Sequence, residues 1–337
     1  MNRSYVMVWI LVGLAGAALL LSQLPLLAGI GLSALPLAVL IGALYGNSPL
    51  ATEPTAKSKD VLGFAQQKLL RLGIILFGFN LSLTQLVAVG WPALVADAIM
   101  IVVVLSFGIW FGIRCLKMSP ELASLTSVGS AVCGAAAIMA ANPVIKGRDQ
   151  DVTLAVALVV IFGTLAMFSY PLLFAYSGLD PAWFGIYIGS TAHEVAQAVA
   201  AGQSMGPETM EFAVVTKLVR VMMLAPVVLV LAQVFIRLRQ NETTDTTQTR
   251  LPIPWFVFGF MLAAGIGSLG WLPPVVITAL QWLAQAALAL AMVALGIKAC
   301  WSDLKAAGWR PVAHAGVLFV LLLGGGLGVT SVLVAIF

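Results

Sequence analysis

Two segments constrain this chain more than anything else in it: Val128-Gly-Ser-Ala-Val-Cys-Gly-Ala-Ala-Ala-Ile-Met-Ala-Ala-Asn-Pro143 and Ile188-Gly-Ser-Thr-Ala-His-Glu-Val-Ala-Gln-Ala-Val-Ala-Ala-Gly202. Each is rich in small residues, opens with Gly-Ser after one apolar residue, and closes on a breaker, Asn142-Pro143 or Gly202. Glycine weakens a helix and lets backbones approach closely. Proline cannot continue a helix and disfavours helix at the residue before it. In a bilayer, interrupted backbone persists only where protein buries it or where it lines a wet cavity. Paired interrupted segments point to a binding site at their junction, in the manner of a secondary transporter.

The bilayer follows from composition. Of 337 residues, 61% are hydrophobic and 9% charged, whereas a soluble domain carries about 25% charged residues. The expected fold class is an all-α membrane protein, one polytopic transmembrane domain over residues 1–337. The net charge of +4 fits Lys and Arg gathered in cytoplasmic loops and is not a nucleic-acid signal. Cys115, Cys133 and Cys300 have no metal-type spacing, so neither a metal, a disulfide framework nor a cofactor is expected. The first apolar run is longer than a signal-peptide core and is expected to remain as a helix.

About eleven hydrophobic segments are expected. Nine are ordinary spans, near 5–23, 29–45, 69–89, 92–113, 152–176, 210–236, 254–270, 275–300 and 311–337, and the broken segments occupy about 122–145 and 183–202. Polar stretches at about 47–60 and 237–251 leave no room for a soluble domain. Arg3, Lys57, Lys59, Arg114, Lys117, Arg237, Arg239, Arg250, Lys305 and Arg310 share one side if the N-terminus is cytoplasmic and the C-terminus outside. Lys146 and Arg148 join them only if the first broken segment is a re-entrant hairpin. The second would then re-enter from outside, with Asp180, Glu208 and Glu211 there. Two broken spanning helices keep the same end topology and stay open at this point. Phe77–Trp91 and Leu295–Trp309 also resemble each other, with Gly78, Leu86, Ala88, Gly90 and Trp91 matching Gly296, Leu304, Ala306, Gly308 and Trp309. That suggests an inverted repeat. The order is awkward, because a broken segment follows the first copy but precedes the second.

Lys217 and Arg220 lie deep in a span and three residues apart, so they share a helix face. Intramembrane charges are costly and usually meet a partner or a water-filled path. They are candidate ligands for an anion, or a structural ion pair with Glu194. His193, Glu194 and Gln197 are candidate proton-coupling residues, since His titrates near neutrality and a buried Glu can rise into that range. The competing reading is a packed, hydrogen-bonded His193. Thr126, Ser127, Ser130, Ser190 and Thr191 are read as lying at helix starts, where N–H groups and hydroxyls would bind an oxyanion; capping and interhelical bonding compete. Cys133 and Gly134 complete the expected substrate site, with Cys133 most simply a small packing residue. Asp97 pairs with His314 or marks a path. Lys298, Lys68 and Arg71 read as interfacial anchors.

These residues lie within recognisable motifs. Leu72-Gly-Ile-Ile-Leu-Phe-Gly-Phe, Ser130-Ala-Val-Cys-Gly-Ala-Ala-Ala-Ile, Phe162-Gly-Thr-Leu-Ala-Met-Phe-Ser-Tyr-Pro171, Gly189-Ser-Thr-Ala-His-Glu-Val-Ala-Gln-Ala-Val-Ala-Ala-Gly202 and Thr216-Lys-Leu-Val-Arg-Val-Met-Met-Leu-Ala-Pro226 resemble the YeiH-type family, labelled as sulfate exporters. The resemblance runs from about residue 30 to the end. One departure is Ala136, where the family often has Ser. The resemblance implies a bacterial inner-membrane protein that exports an anion. The leading expectation is a secondary transporter of a small anion, sulfate or sulfonate-like, coupled to protons. The competing one is a monovalent cation/proton antiporter using Glu194 or Asp97, a similarity of fold alone. No paired acids, His-rich pattern or nucleophile–base motif suggests an enzyme. Expected partners are the anion, protons and lipid; small-residue surfaces allow a homodimer.

Overall fold

Prolines and polar caps set where the central helices start. Ser119 caps the helix beginning at Pro120, accepting from the Leu122 amide at 3.3 Å. Asp180 caps the helix beginning at Pro181, accepting from Trp183 at 2.9 Å. Proline suits the first helical turn because its missing N–H would be unpaired there anyway, and the cap supplies one of the orphan donors with an acceptor.

The computed structural model describes residues 3–24, 34–49, 56–80, 83–238, 255–299 and 308–337, with no strand among them. In chain order come α1 (Arg3–Leu21), α2 (Ala34–Gly46) and α3 (Ala56–Phe64), which passes through a π turn (Ala65–Leu69) into α4 (Leu70–Phe77). Next are α5 (Leu83–Trp110), with a kink at Gly90 ahead of Pro92, and a second π turn (Phe111–Cys115). The centre is α6 (Pro120–Ala131), α7 (Ala135–Ile145), α8 (Asp149–Ser177), α9 (Pro181–Thr191), α10 (Val195–Met205), α11 (Pro207–Met222) and α12 (Leu224–Leu238). The chain ends with α13 (Trp255–Ser268), α14 (Pro274–Lys298), α15 (Trp309–Val320), a π turn (Leu321–Gly325) and α16 (Gly326–Ile336). Five helical stretches, Val89–Cys115, Asp149–Ser177, Pro207–Phe235, Pro274–Lys298 and Trp309–Ile336, are long and apolar enough to cross a membrane; shorter apolar helices include Ala34–Gly46 and Trp255–Ser268.

The helical stretch expected from 69 begins earlier, at Ala56. Lys57, Lys59 and Asp60 are exposed and read as loop in the sequence, yet Leu62 and Ala65 between the polar positions are buried. The polar stretch expected at 237–251 falls almost entirely outside the described residues, as do 81–82 and 300–307 of the two similar segments.

Both interrupted segments fold back on themselves. Gly129 of α6 lies against Ile138 of α7, and Gly147, just past α7, lies against Leu125 and beside Glu121. Positions fall along one limb as they rise along the other. Helix α11 acts as a ruler for the second segment. Gly185 and Gly189 of α9 face Thr209–Ala213 and Ala213–Lys217 in ascending order, whereas Gly202 of α10 faces Met210. So α9 runs parallel to α11 and α10 antiparallel to it, with the tip at Ala192–Glu194. Of the two forms the charge pattern left open, the structure adopts the hairpins.

The helices sort into two bodies. In the first, α14 packs along α2 and α4, α13 packs on α4, and α1 covers α2 and α14. The α2–α14 contact is backbone on backbone: a Cβ on Gly42 or Gly46 would lie on the carbonyls of Val293 and Ile297, the close approach that small residues permit between membrane helices. In the second body the α6–α7 hairpin packs on α8 and the α9–α10 hairpin on α11, flanked by α5 and by α15–α16.

Candidate functional site

The breaks free backbone carbonyls in the interior, and two cations take them up. Lys217 Nζ donates to the carbonyls of Val132 (2.6 Å) and Ala192 (2.5 Å). Arg220 donates from Nε to Ala131 (2.7 Å), from Nη1 to Ala192 (3.3 Å) and from Nη2 to Ser130 (3.3 Å). Both side chains are 0% exposed. The last carbonyls of a helix have no intrahelical donor and carry the negative end of its dipole. Two cations at the C-terminal ends of α6 and α9 therefore satisfy both tips at once. No ion pair joins either cation to Glu194, and neither lines the adjacent cavity. Their donors point at backbone, not at open space.

The other ends of the breaks, the N-termini of α7 and α10, meet at Glu194. Its Oε1 accepts from the Ala135 amide at 3.4 Å. Its own amide donates to Gln197 Oε1 at 3.0 Å, in a reciprocal capping arrangement over the first turn of α10. Gly134 makes the approach possible: its φ is +63°, and a Cβ there would press on Glu194 Cγ. The carboxylate is 8% exposed and lies on the wall of a cavity of about 520 Å³, bounded also by Gln66, Gln67, Arg71, Cys133, Ala136 and Trp255. Among the described residues, Glu194 is the one acid on that wall and Arg71 the one base; Lys298 and then Lys217 are the charges that bear on the carboxylate.

The remaining sequence candidates divide. Cys133 lines the cavity, and Gly134 turns the first tip. Gln197 holds the Glu194 amide and donates to the Val160 carbonyl at 3.4 Å, tying the second tip to α8. His193 is buried with Nδ1 unbonded and does not line the cavity. The hydroxyls differ from expectation. Thr126, Ser127, Ser190 and Thr191 bond the carbonyls of Leu122, Ala123, Tyr187 and Tyr187 one turn back, and Thr191 also meets the Tyr170 hydroxyl at 3.0 Å. They and Ser130 sit in the C-terminal parts of α6 and α9. The N-termini that face the cavity belong to α7 and α10, because each break divides its segment after the Gly-Ser pair. Ser130 contributes its carbonyl, to Arg220.

Sequence reasoning missed Gln66, Gln67, Arg71 and Lys298 as neighbours of the site. Gln66 and Gln67 stand in the π turn, and Lys298 donates to Gln66 Oε1 at 2.7 Å. Single π turns recur at functional sites, but this one has no signature in sequence beyond a Gln pair in an apolar run. Asp97 is 0% exposed and both carboxyl oxygens lack a hydrogen-bond partner. It is not bonded to His314, whose Nε2 instead meets the Gly108 carbonyl at 2.9 Å.

Residues 6–315 match the family described as Conserved hypothetical protein 698. The chain is 42% identical over 320 residues to a UPF0324 membrane protein of Pseudomonas aeruginosa, covering 93% of this chain and 90% of that one. The chain belongs to the UPF0324, YeiH-type family of membrane proteins. It is 42% identical over 311 residues to the UPF0324 protein of Pasteurella multocida, covering 91% and 90% of the two chains. To the UPF0324 inner membrane protein YeiH of Escherichia coli K12 it is 41% identical over 316 residues, covering 93% and 89%. These UPF0324 names give a membrane location, and for YeiH the inner membrane; they name no substrate.

Proposed function

We propose that this protein is a secondary transporter that exports a small anion, sulfate or sulfonate-like, in step with protons. The observation that carries the reading is the convergence of two helix N-termini on one carboxylate at a cavity wall. Helix N-termini are ready-made oxyanion sites, and broken helices that present them to a cavity are the usual form of a transporter's anion site. Glu194 is a tethered anion in that seat. A free oxyanion and the ionised carboxylate need the same amides, so the anion binds when Glu194 is protonated or turned away. That competition couples anion binding to a proton. Lys217 and Arg220 support the site from behind by holding the tips rather than by touching the anion. Export accords with an inside-negative membrane, which favours outward anion movement by about 2.3 kcal/mol per charge per 100 mV.

The architecture we propose is an inverted repeat of eleven segments, nine crossing and two re-entrant, with the N-terminus cytoplasmic and the C-terminus outside. Its support is a packing pattern that repeats under exchange of α5 with α15–α16, α8 with α11–α12, α2 with α13, α4 with α14, and one hairpin with the other. Thus α5 packs on α6 and α11 as α16 packs on α9 and α15 on α8, and α14 packs on α2 as α4 packs on α13. With both hairpins turning back, exchanged helices run in opposite directions. The second copy is circularly permuted, its hairpin preceding the part that matches Phe77–Trp91, which accounts for the awkward order.

A second reading, a cation/proton antiporter, draws on Asp97, a buried acid with neither oxygen bonded. Radiolabelled sulfate and taurine-like sulfonates, followed in proteoliposomes of purified protein with and without a proton gradient, separate the two. Gradient-linked anion movement supports the first. Sodium- or potassium-dependent pH change with no anion movement supports the second.

A further inference from the structure

A smaller cavity, of about 180 Å³, is bounded by Gln203, Gln281, Gln285, Leu288 and Leu35. It lies on the same seam between the two helical bodies as the Glu194 cavity, towards the other face. On α11, Met210 borders the small cavity and Val221 the large one, about 16 Å apart at 1.5 Å per residue. On α10, Gln203 stands near the open end of the hairpin, whereas Glu194 and Val195 are at its tip.

The two cavities also correspond in register. The displacement along the chain that carries Gly78 onto Gly296 and Trp91 onto Trp309 carries Gln67 onto Gln285 and Leu70 onto Leu288. Gln67 and Leu70 border the large cavity; Gln285 and Leu288 border the small one. The glycines occupy matching places too: Gly78 lies on the Phe260 carbonyl of α13, and Gly296 on the Val39 carbonyl of α2. The small cavity is bridged across the seam, where Gln203 Oε1 accepts from the Leu35 amide at 3.2 Å.

We propose that the small cavity is the closed mouth of the transport path on the face opposite the Glu194 cavity, and that it opens as the larger one closes. The inference rests on the transporter reading. Its three glutamines suit passage of a small hydrated oxyanion, since carboxamide N–H groups solvate an anion without the fixed charge that would trap it. The Gln203–Leu35 hydrogen bond is the latch that opening must break, and two mouths related by a repeat provide access from alternate sides.

The test is sidedness of thiol labelling in the full-length protein. A Gln67→Cys, Gln285→Cys double variant in oriented membrane vesicles is treated with a membrane-impermeant maleimide, and each site is read separately by mass spectrometry, so the native cysteines stay in place. The expected result is labelling of position 67 from one side and slower labelling of position 285 from the other. Adding Gln203→Ala raises labelling at 285 and lowers it at 67, the ratio of the two rates changing by about threefold to tenfold, as loss of one hydrogen bond in a two-state balance predicts. Gln203→Asn, which shortens the side chain by one methylene, gives the same shift should the alanine variant misfold. Labelling of both positions from one side overturns the inference, as does position 285 staying sealed in every variant while anion flux proceeds; in that last case the transporter reading survives. Reciprocal labelling without anion flux upholds the two mouths and removes the cargo.

Discussion

The two hairpins share a plan and differ in charge. Both start at a capped proline, carry Gly-Ser near the end of the first limb, break for three residues and resume as an eleven-residue helix. The first tip is Val132-Cys-Gly134 and the second is Ala192-His-Glu194, so the imidazole and the carboxyl group belong to the second alone. The helices behind them differ in the same way. Gly129 faces Val159 on α8, whereas Gly189 faces Thr216 and Lys217 on α11. By that register Val160 and Gly163 stand where α11 has Lys217 and Arg220. One half of the molecule thus supplies the cations for the carbonyls of both tips and the acid between them, while the other supplies a neutral, closely packed face. Two hairpins of one plan need only one set of charged groups when their tips meet at one point.

The largest test of this asymmetry is to remove a cation. Arg220→Ala leaves the carbonyls of Ser130 and Ala131 without that donor and weakens the hold on Ala192, costing roughly 3–5 kcal/mol, as for other buried charge networks deprived of one member. Val160→Ala, at the matching depth on α8, costs roughly 1–2 kcal/mol for two lost methyl groups. Thermal unfolding in detergent compares them, and equal losses would break the comparison. Next is Gly134→Ala, which places a side chain at φ +63° and against Glu194. It is expected to cost roughly 1–3 kcal/mol and to lower apparent anion affinity, read as a raised KM for flux. Gln197→Leu removes the acceptor for the Glu194 amide and the tie to α8, roughly 1–2 kcal/mol, with the loss visible as faster hydrogen exchange at the second tip. The smallest effects belong to Ser127→Ala and Ser190→Ala. Their hydroxyls are engaged by their own helices, a local bond that adds little to helix stability, so stability and flux stay within about twofold of the parent. A large flux defect in either would restore the hydroxyls as ligands.

Much of this frame was legible in the sequence. Spans expected at 152–176, 275–300 and 311–337 begin within three residues of Asp149, Pro274 and Trp309, because long apolar runs bounded by polar or proline residues leave little choice. That each segment is broken was legible from its small residues and glycines, but the place of the break was not: Asn142-Pro143 and Gly202 lie inside α7 and α10, and the breaks come earlier, at 132–134 and 192–194. Depth and sign marked Lys217 and Arg220 as special, but their partners are carbonyls freed by the breaks, which no residue type encodes. The cavity wall was hidden for a related reason: Gln66 and Gln67 read as the margin of a loop until α3 and its π turn bring them opposite Glu194. Ser190 and Thr191 misled because the break comes after them, which puts them at a helix end rather than a helix start.

The central claim is that Glu194 and the transported anion compete for one seat, and the most direct measurement is radiolabelled sulfate flux in proteoliposomes containing wild type or Glu194→Gln, across a series of pH values. Protonation vacates the seat, so wild-type flux should rise as pH falls. The glutamine variant, close in shape and uncharged at every pH, should carry sulfate with little dependence on pH or on a proton gradient. Sulfate movement that ignores pH in wild type, or no anion movement beside a sodium- or potassium-driven proton flux that Glu194→Gln abolishes, would contradict the account.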